Sequence, residues 1–218
     1  MAWVISGFLC LMAYLLGSIP TGYLVGKVLK GIDIREHGSG STGATNVFRI
    51  LGKTAAVLVL ITDLGKAILS MAMVKWFYIL APTGLITLDW KPWLMIMAAI
   101  AVVLGHSKSI FLNLTGGKSV AVGLGVLFVL NPLVAFGSLT SFLLMLSFSK
   151  IVSLSSLTGV LAVNILMIWL HQPLPYCIFA LVAGLYVIIR HSANINRLLE
   201  GKEPKIGQKL QNSSLSKI

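Results

Sequence analysis

Charged residues are scarce in this sequence, acidic residues more so, and cysteine is nearly absent. Of 218 residues, 11% are charged, six are acidic and two are cysteine. Cys10 and Cys177 each lie in a hydrophobic stretch with no second cysteine or histidine at ligand spacing, which argues against zinc and gives little support for a disulfide. We interpret both as buried free thiols. No charge precedes Lys27, so the basic start of a signal peptide is missing, and we expect the first apolar segment to remain as a membrane span.

Apolar residues dominate the rest of the composition. They make up 57% of the chain, and the mean hydropathy is +0.94, both typical of an integral membrane protein. The length allows six or seven spans of about 20 residues each, and no stretch is polar enough for a separate soluble domain. We therefore expect one all-α, membrane-embedded domain over residues 1–218.

Hydropathy divides the chain into seven predicted spans. The third could extend to residue 114, and Asn131-Pro132 is interpreted as a tight turn at the outer surface between two short spans. Aromatic residues near the span ends suit the headgroup layer. The predicted spans are 3–25, 54–80, 93–104, 119–130, 133–147, 151–170 and 174–189.

Lysine and arginine are sorted between the predicted loops. Because basic residues near span ends are retained in the cytoplasm, we place the N-terminus outside and the C-terminus in the cytosol, with Lys75 and Lys91 outside and Lys66 within a span. The net charge is +11, but the basic residues are not interleaved with exposed aromatics, so nucleic acid is not an expected partner. The predicted cytosolic residues are Lys27, Lys30, Arg35, Arg49, Lys53, Lys108, Lys118, Lys150, Arg190, Arg197, Lys202, Lys205, Lys209 and Lys217.

Three polar segments on this predicted cytosolic face combine glycine, hydroxyl, amide and basic residues. They cover residues 38–49, 105–122 and 190–203. Glycine lets backbone N–H groups approach an anion closely, and basic, amide and hydroxyl side chains supply further donors. In the third segment, a helical continuation would put His191, Asn194 and Arg197 on one face. Their recurrence predicts a shared phosphate-binding site.

Each polar segment also has a plainer interpretation. The run Gly116-Gly117-Lys118-Ser119 ends like a nucleotide-binding P-loop, but Leu112 replaces a required glycine and no predicted strand precedes it. An interfacial turn with a snorkelling lysine fits residues 116–119 taken alone. A flexible hinge at 38–49 and a solvated helix end at 190–203 are the corresponding alternatives.

The three segments resemble those of the bacterial membrane glycerol-3-phosphate acyltransferases that use acyl phosphate, the PlsY family. The resemblance covers nearly the whole chain, including the Asp63-x-x-Lys66 pair in the second span and Ser153. The sequence departs from the family where Ser41 replaces Asn, Ala67 Gly, Ser109 Pro, Ser119 Gly and Val122 Thr. The matching residues are the GSG and GATN runs at 38–40 and 43–46, Arg49, Gly105, His106, Phe111, Gly116, Gly117, Lys118, His191, Asn194, Arg197, Leu198, Gly201 and Glu203.

The resemblance implies that an acyl group passes from acyl phosphate to the 1-hydroxyl of glycerol 3-phosphate, giving lysophosphatidate and inorganic phosphate. It implies a multi-pass protein of the bacterial inner membrane, with its site facing the cytosol and no cofactor or metal. It implies catalytic roles for Lys118, His191 and Asn194, and supporting roles for Asp63, Lys66 and Glu203. The implied substrate-binding residues are Ser39, Gly40, Gly43, Ala44, Thr45, Asn46, Arg49, Lys108, Gly116, Gly117 and Ser153. Acyl-chain preference and oligomeric state stay open.

These residues suit a reaction between two phosphate-bearing substrates, which needs several cations and many N–H donors. We assign acyl phosphate to Lys118, the amides at 116–117 and the loop 39–45. We assign glycerol 3-phosphate to Arg49, His191, Asn194 and Lys108. Because acyl phosphate is already activated, positioning alone could supply about 7–11 kcal/mol.

The group that removes the hydroxyl proton is left open by the residues. His191 is one candidate, and a substrate phosphate oxygen, with a pKa of about 6, is the other. No histidine is followed five residues later by aspartate, so the His-Asp mechanism of other glycerolipid acyltransferases lacks its carboxylate. Asp63 and Lys66 lie three apart on a predicted helix, where we expect them to pair with each other or with loop residues.

Two other functional classes use the same features. A transporter or channel for phosphate esters would also need anion-binding loops, but the spans show no evident internal repeat and the donors crowd one interface. A lipid-binding scaffold without chemistry would not require Lys118 and His191 together.

Overall fold

The computed structural model describes residues 2–80 and 86–208, which are largely helical. Lys209 and Lys217, both predicted to be cytosolic, lie outside the described residues. Short 3₁₀ turns occur in the connections at Ile34–Glu36, Leu88–Trp90 and Ile110–Leu112. The α-helices are α1 (Ala2–Ser18), α2 (Thr21–Lys30), α3 (Ala44–Leu51), α4 (Lys53–Leu80), α5 (Lys91–Ser107), α6 (Val120–Leu130), α7 (Pro132–Ser149), α8 (Val152–Trp169), α9 (Leu174–Arg190) and α10 (Ser192–Leu199).

Five helical stretches in the described part of the chain are long and apolar enough to cross a membrane. They are Ala2–Lys30, Lys53–Leu80, Leu88–Ser107, Pro132–Ser149 and Val152–Trp169, and the pair α9 and α10, bent by 61°, would make a sixth. Helix α6 has only 11 residues, about 16 Å at the α-helical rise, against a hydrocarbon core of about 30 Å. By length and composition the described residues therefore form an all-α membrane bundle with five or six candidate spans. The expected span at 119–130 coincides with the short helix α6.

Two of the predicted spans differ from the observed helices. The first is interrupted between Ser18 and Thr21, where Pro20 has no N–H to continue the hydrogen-bond ladder. The third does not extend to residue 114, because α5 ends at Ser107 and the chain turns. The turn at Asn131 is present: its side chain accepts hydrogen bonds from the N–H groups of Leu133 and Val134 and so caps α7.

Small residues let α1 and α5 pack closely. A Cβ on Gly17 would lie 2.4 Å from the Val102 carbonyl oxygen, and one on Gly105 would lie 2.2 Å from the Tyr14 carbonyl oxygen. Larger side chains could not fit, and this close approach is the means by which membrane helices gain packing contacts. The contact brings the C-terminal end of α5 against the break between α1 and α2, where polar groups gather.

Apolar side chains fill the space between the helices and also cover the outside of the bundle. Met71, Leu94 and Val102 are fully buried in the main core. Phe148 and Ile168, by contrast, are 84% and 70% exposed. Exposed large apolar residues around a bundle are what a lipid environment accommodates.

Candidate active site

Asn46 holds the first polar segment in shape. Its side-chain oxygen accepts from the Ser39 N–H at 2.8 Å, and its amide nitrogen donates to the carbonyls of Ile34, His37 and Ser41 at 3.2, 2.9 and 3.0 Å. The side chain is 1% exposed and its hydrogen-bonding groups are occupied. These contacts show that Asn46 shapes the loop; its expected role in substrate binding stays a prediction.

The loop donors expected at 39–45 are partly engaged within the protein. The Ser39 N–H is bound to Asn46, and the Gly40 N–H donates to the His37 carbonyl at 3.1 Å. Helix α3 begins at Ala44, so the N–H groups of Ala44 and Thr45 have no acceptor inside the helix. Within the loop, the N–H groups of Ser39 and Gly40 are thus bound to protein acceptors, whereas those of Ala44 and Thr45 are not bound within α3.

The second polar segment packs against His106 at the end of α5. The Gly117 N–H donates to the His106 carbonyl at 3.2 Å. A Cβ on Gly116 would lie 2.2 Å from that carbonyl oxygen, and one on Gly117 would lie 2.1 Å from Nε2 of the ring. Gly117 is therefore required for close packing, and its amide is bound to the His106 carbonyl in this structure; its expected role as an anion donor stays a prediction.

Two serines that depart from the family pattern have clear structural contacts here. Ser119 has φ +63°, the left-handed conformation that glycine adopts freely, and its hydroxyl donates to the Val103 carbonyl at 3.0 Å. Ser109 uses its N–H, which a proline would lack, to bind the Thr115 carbonyl at 3.3 Å, and its hydroxyl donates to the Ser18 carbonyl at 2.6 Å. Side-chain hydrogen bonds thus hold the loop at both positions.

Glu203 joins residues from three parts of the chain. Oε1 accepts from the Asn194 amide at 2.6 Å and the Ser153 hydroxyl at 2.9 Å, and Oε2 accepts from Nε of Arg197 at 2.7 Å. Lys118 donates in turn to the side-chain oxygen of Asn194. Four predicted site residues therefore form one network, with Glu203 at its centre and 6% exposed.

The charges around this network do not balance. Lys118, Arg49, Arg190 and Arg197 lie near one another, with Glu203 as the carboxylate that acts on Lys118. Burial lowers the pKa of Lys118 to about 8; Glu203 opposes this shift, and the three arginines add to it. Burial alone would raise the pKa of Glu203, but hydrogen bonds from its partners hold it below the ordinary value. The excess positive charge favours a bound anion.

His191 lies between α9 and α10, at the bend of that helix pair. Its ring nitrogen Nδ1 is 2.8 Å from the Val187 carbonyl oxygen. Since a carbonyl can only accept, Nδ1 carries the proton, and the neutral ring leaves the lone pair on Nε2. Lys118, Arg190 and Glu203 are among the charged groups that act on this ring.

Asp63, Lys66 and His106 form a second polar cluster, buried among the helices. The ammonium of Lys66 lies 2.9 Å from Oδ1 of Asp63, 3.1 Å from Nδ1 of His106 and 3.0 Å from the Ile19 carbonyl oxygen. Thr21 donates to Oδ1 of Asp63 at 3.3 Å. The expected pairing of Asp63 and Lys66 is thus present, and it includes a histidine and the broken end of α1.

All three polar segments meet at an open cleft of about 440 Å³. Gly40 lies on its wall from the first segment, Lys108 and Gly116 from the second, and Arg190 from the third. Arg35, just before the first segment, contacts the second, because its guanidinium donates to the Thr115 hydroxyl at 3.3 Å. The segments predicted to share a site are therefore neighbours in the fold.

Several residues that shape this region were not among the predicted site residues. Arg190 donates to the carbonyls of Gly116 and Gly117 at 3.3 and 3.2 Å, and Arg197 binds Glu203. Their places beside His191, and at the same three-residue spacing, are the sequence signals that point to them. His106 matches the family pattern in the second segment, but that match does not show its contacts with Lys66 and Gly117, which depend on how α5 packs against α4 and the following loop.

Comparisons with known proteins agree on one family. The family model described as glycerol-3-phosphate acyltransferase matches residues 7–201. A glycerol-3-phosphate acyltransferase of Rippkaea orientalis is 65% identical over 210 residues, covering 96% of this chain and 97% of the relative. One of Synechocystis is 55% identical over 202 residues, covering 93% and 91%.

Two crystal structures have the same fold as this chain. Both are of PlsY (YgiH), an integral membrane glycerol 3-phosphate acyltransferase, in a glycerol 3-phosphate form and a lysophosphatidic acid form. Each is 38% identical to this chain, with TM-scores of 0.83 and 0.80. The first comparison covers 93% of this chain and 96% of that one, and the second covers 93% and 95%.

Proposed function

The chain belongs to the glycerol-3-phosphate acyltransferase family, of the PlsY type, and we propose that the three polar segments form the site at which it makes lysophosphatidic acid from acyl phosphate and glycerol 3-phosphate. The observation that carries this assignment is the excess of cations around Lys118 and Glu203. The two substrates both carry negatively charged phosphate groups that repel each other, so a site that holds both needs more positive than negative charge.

The reaction exchanges a mixed-anhydride bond for an ester bond. The 1-hydroxyl oxygen of glycerol 3-phosphate attacks the acyl carbonyl carbon, and the bond from that carbon to the phosphate oxygen breaks. Inorganic phosphate leaves with the electron pair, and the hydroxyl proton passes to a base. Because phosphate is already a good leaving group, no covalent enzyme intermediate is needed, and alignment of the two substrates supplies the main rate gain.

Lys118 is the principal ligand of the acyl phosphate group in this proposal. Its ammonium donates to Asn194, which in turn binds Glu203, and we assign the N–H groups at the start of α3 as further donors to the same phosphate. Asn194 is bound at its oxygen by Lys118 and through its nitrogen to Glu203, so its role is to orient the ammonium. Ser153 supports Glu203 from α8 in the same way.

Glycerol 3-phosphate is assigned to the side of the site that carries Arg49, His191 and Lys108. Arg49 is half-buried beside Arg197 and Glu203, and Lys108 is exposed on the open cleft, where a water-soluble substrate enters. The lone pair on Nε2 of His191 is suited to accept the hydroxyl proton. A phosphate oxygen of the substrate is the second candidate acceptor for this proton.

We also propose that α6 crosses the membrane as a short seventh span, with the N-terminus outside and the site in the cytosol. The sorting of basic residues supports this orientation. Single cysteines at Thr45 and Lys205 should react with an impermeant thiol reagent only from the cytosolic side, and one at Lys75 only from outside. Labelling of positions 45 and 75 from the same side would refute this orientation.

The function is tested with purified protein in detergent and in sealed vesicles. We expect phosphate release from acyl phosphate that depends on glycerol 3-phosphate and yields lysophosphatidic acid. Lys118→Ala and His191→Ala should suppress it, whereas Lys75→Ala, an exposed lysine on α4, serves as the matched control. Vesicle uptake of glycerol 3-phosphate without acyl transfer would instead identify a transporter.

A further inference from the structure

His106 lies between the buried ion pair and the loop that carries Lys118. We infer that His106 is a positioning residue for acyl transfer: its ring, held on one edge by Lys66 and Asp63, supports Gly117 on the other and thereby fixes Lys118. The inference rests on the proposed function for the role of Lys118. Through His106, the buried pair of Asp63 and Lys66 affects the placement of Lys118, although neither residue contacts Lys118 itself.

One edge of the His106 ring is fixed by the ion pair. Nδ1 lies 3.1 Å from Nζ of Lys66 and 3.6 Å from Oδ1 of Asp63, and all three side chains are nearly fully buried. An ammonium can only donate, so a neutral ring accepts at Nδ1 and carries its proton on Nε2. Contacts on one edge and packing on the other leave this ring little freedom to rotate.

The opposite edge of the ring contacts the diglycine. The position of a Cβ on Gly117 is 2.1 Å from Nε2 and 2.8 Å from Cε1, whereas a Cβ on Gly116 would meet only backbone, chiefly the His106 carbonyl oxygen at 2.2 Å. Gly117 does not have a positive φ, so its backbone would accept an alanine. The His106 ring is therefore the obstacle at position 117, but not at position 116.

Lys118 is held to α5 on both sides of its own Cα. The Gly117 N–H is bound by the His106 carbonyl, and the Ser119 hydroxyl donates to the Val103 carbonyl. From this fixed backbone the Lys118 side chain reaches Asn194. A displacement of about 1 Å in such a ligand can cost about 100-fold in rate, so the support beneath Gly117 is expected to affect the reaction.

The two neighbouring glycines offer a matched test. Gly117→Ala should lower the rate about 100-fold, because its methyl group would displace the ring or the loop. Adding His106→Ala to that variant removes the obstacle and should recover at least about tenfold, a coupling within the usual range for residues in contact. The control pair is Gly116→Ala with and without His106→Ala, in which no recovery is expected because the obstacle is backbone.

His106→Ala alone provides a second readout. If the ring acts by placing Lys118, KM for acyl phosphate should rise severalfold more than KM for glycerol 3-phosphate. A purely structural role would reduce the active fraction and lower kcat, with both KM values unchanged. His106→Asn, which keeps an amide near the position of Nδ1, should recover part of the KM effect.

Each outcome bears on the inference. Thermal unfolding is measured for every variant. If Gly117→Ala yields no folded protein, the yield of folded protein is compared between Gly117→Ala/His106→Ala and Gly116→Ala/His106→Ala. Equal recovery at positions 116 and 117, or none at either, would overturn the role of the ring, as would unchanged KM values in His106→Ala. Absence of transfer in the unmodified protein would instead refute the proposed function itself.

Discussion

The two polar clusters of this protein are built on opposite charge arrangements. Asp63, Lys66 and His106 form a cluster in which one carboxylate meets one ammonium, and backbone and hydroxyl groups complete their hydrogen bonds. Around Glu203, in contrast, four cations lie near one carboxylate. The first cluster is satisfied by the protein alone, whereas the second becomes neutral only when it binds anions.

This difference separates a structural role from a binding role. A balanced buried pair needs no ligand, and loss of either member leaves a charge without compensation. An unbalanced group of cations costs folding free energy that a bound phosphate can offset. The contrast predicts that removing one charge of the Asp63–Lys66 pair chiefly reduces stability, whereas changes in the second cluster chiefly reduce activity.

The largest expected effect comes from breaking the balanced cluster. Lys66→Met leaves the Asp63 carboxylate buried without its ammonium and should lower the free energy of unfolding by about 3–5 kcal/mol. Thermal unfolding in detergent would measure it. The double variant Asp63→Leu/Lys66→Met removes both charges and should recover most of that loss. An unfolding temperature for Lys66→Met equal to that of the unmodified protein would contradict the comparison.

The next effect comes from the unbalanced cluster. Lys118→Ala should reduce kcat/KM for acyl phosphate by about 100- to 1,000-fold, the usual cost of removing one charge-stabilising donor. Its unfolding temperature should stay near that of the unmodified protein, because the ammonium is already disfavoured by burial. Lys108→Ala, on the exposed wall of the cleft, should reduce kcat/KM less than Lys118→Ala does. A greater loss from Lys108→Ala would move the main anion site into the cleft.

The pH dependence of the reaction gives a smaller effect. The pKa of Lys118 is lowered to about 8, so its side chain carries a positive charge below that pH and loses the charge as the pH rises through it. We therefore expect KM for acyl phosphate to increase above pH 8, by up to about tenfold per pH unit. In Lys118→Arg, whose guanidinium stays charged, the increase should disappear. The same rise in both proteins would assign it to another group.

The smallest effect concerns the loop conformation at Ser119. Ser119→Gly relieves a left-handed backbone but loses the hydrogen bond to Val103, so the unfolding free energy should change by less than about 1 kcal/mol. Ser119→Ala keeps the backbone strain and loses the hydrogen bond, so it should be less stable than Ser119→Gly. Chemical or thermal unfolding in detergent ranks the two, and the reverse order would show that strain is negligible.

Much of the fold and part of the site follow from local sequence patterns. Apolar length located the helices, and the three-residue spacing of Asp63 and Lys66 was enough to predict their pairing, because residues three apart share a helix face. The glycine-rich segments identified the three loops that meet at the cleft. In each case the relevant distance is set within one helix or one loop.

Other features depend on distances that only packing sets. Ser153 and Glu203 are 50 positions apart and share a hydrogen bond because α8 lies beneath the end of α10. Gly117 was read as an anion donor, but its amide binds His106, since the small residues of α1 and α5 position the end of α5 against the loop. Helix α6 was predicted as a short span at 119–130, and the helix begins and ends within one residue of those bounds, but its 11 residues do not by themselves show whether it crosses the membrane.

The interruption after Ser18 has a consequence for how this family of sequences can vary. The peptide oxygen of Ile19, the residue before Pro20, accepts from the ammonium of Lys66 as well as from the Thr21 N–H. The Ile19 oxygen thus supplies the buried ammonium with a hydrogen bond that water would supply at the surface. A chain that restored a straight first segment would withdraw this oxygen, so Pro20 and Lys66 are expected to be inherited together and lost together.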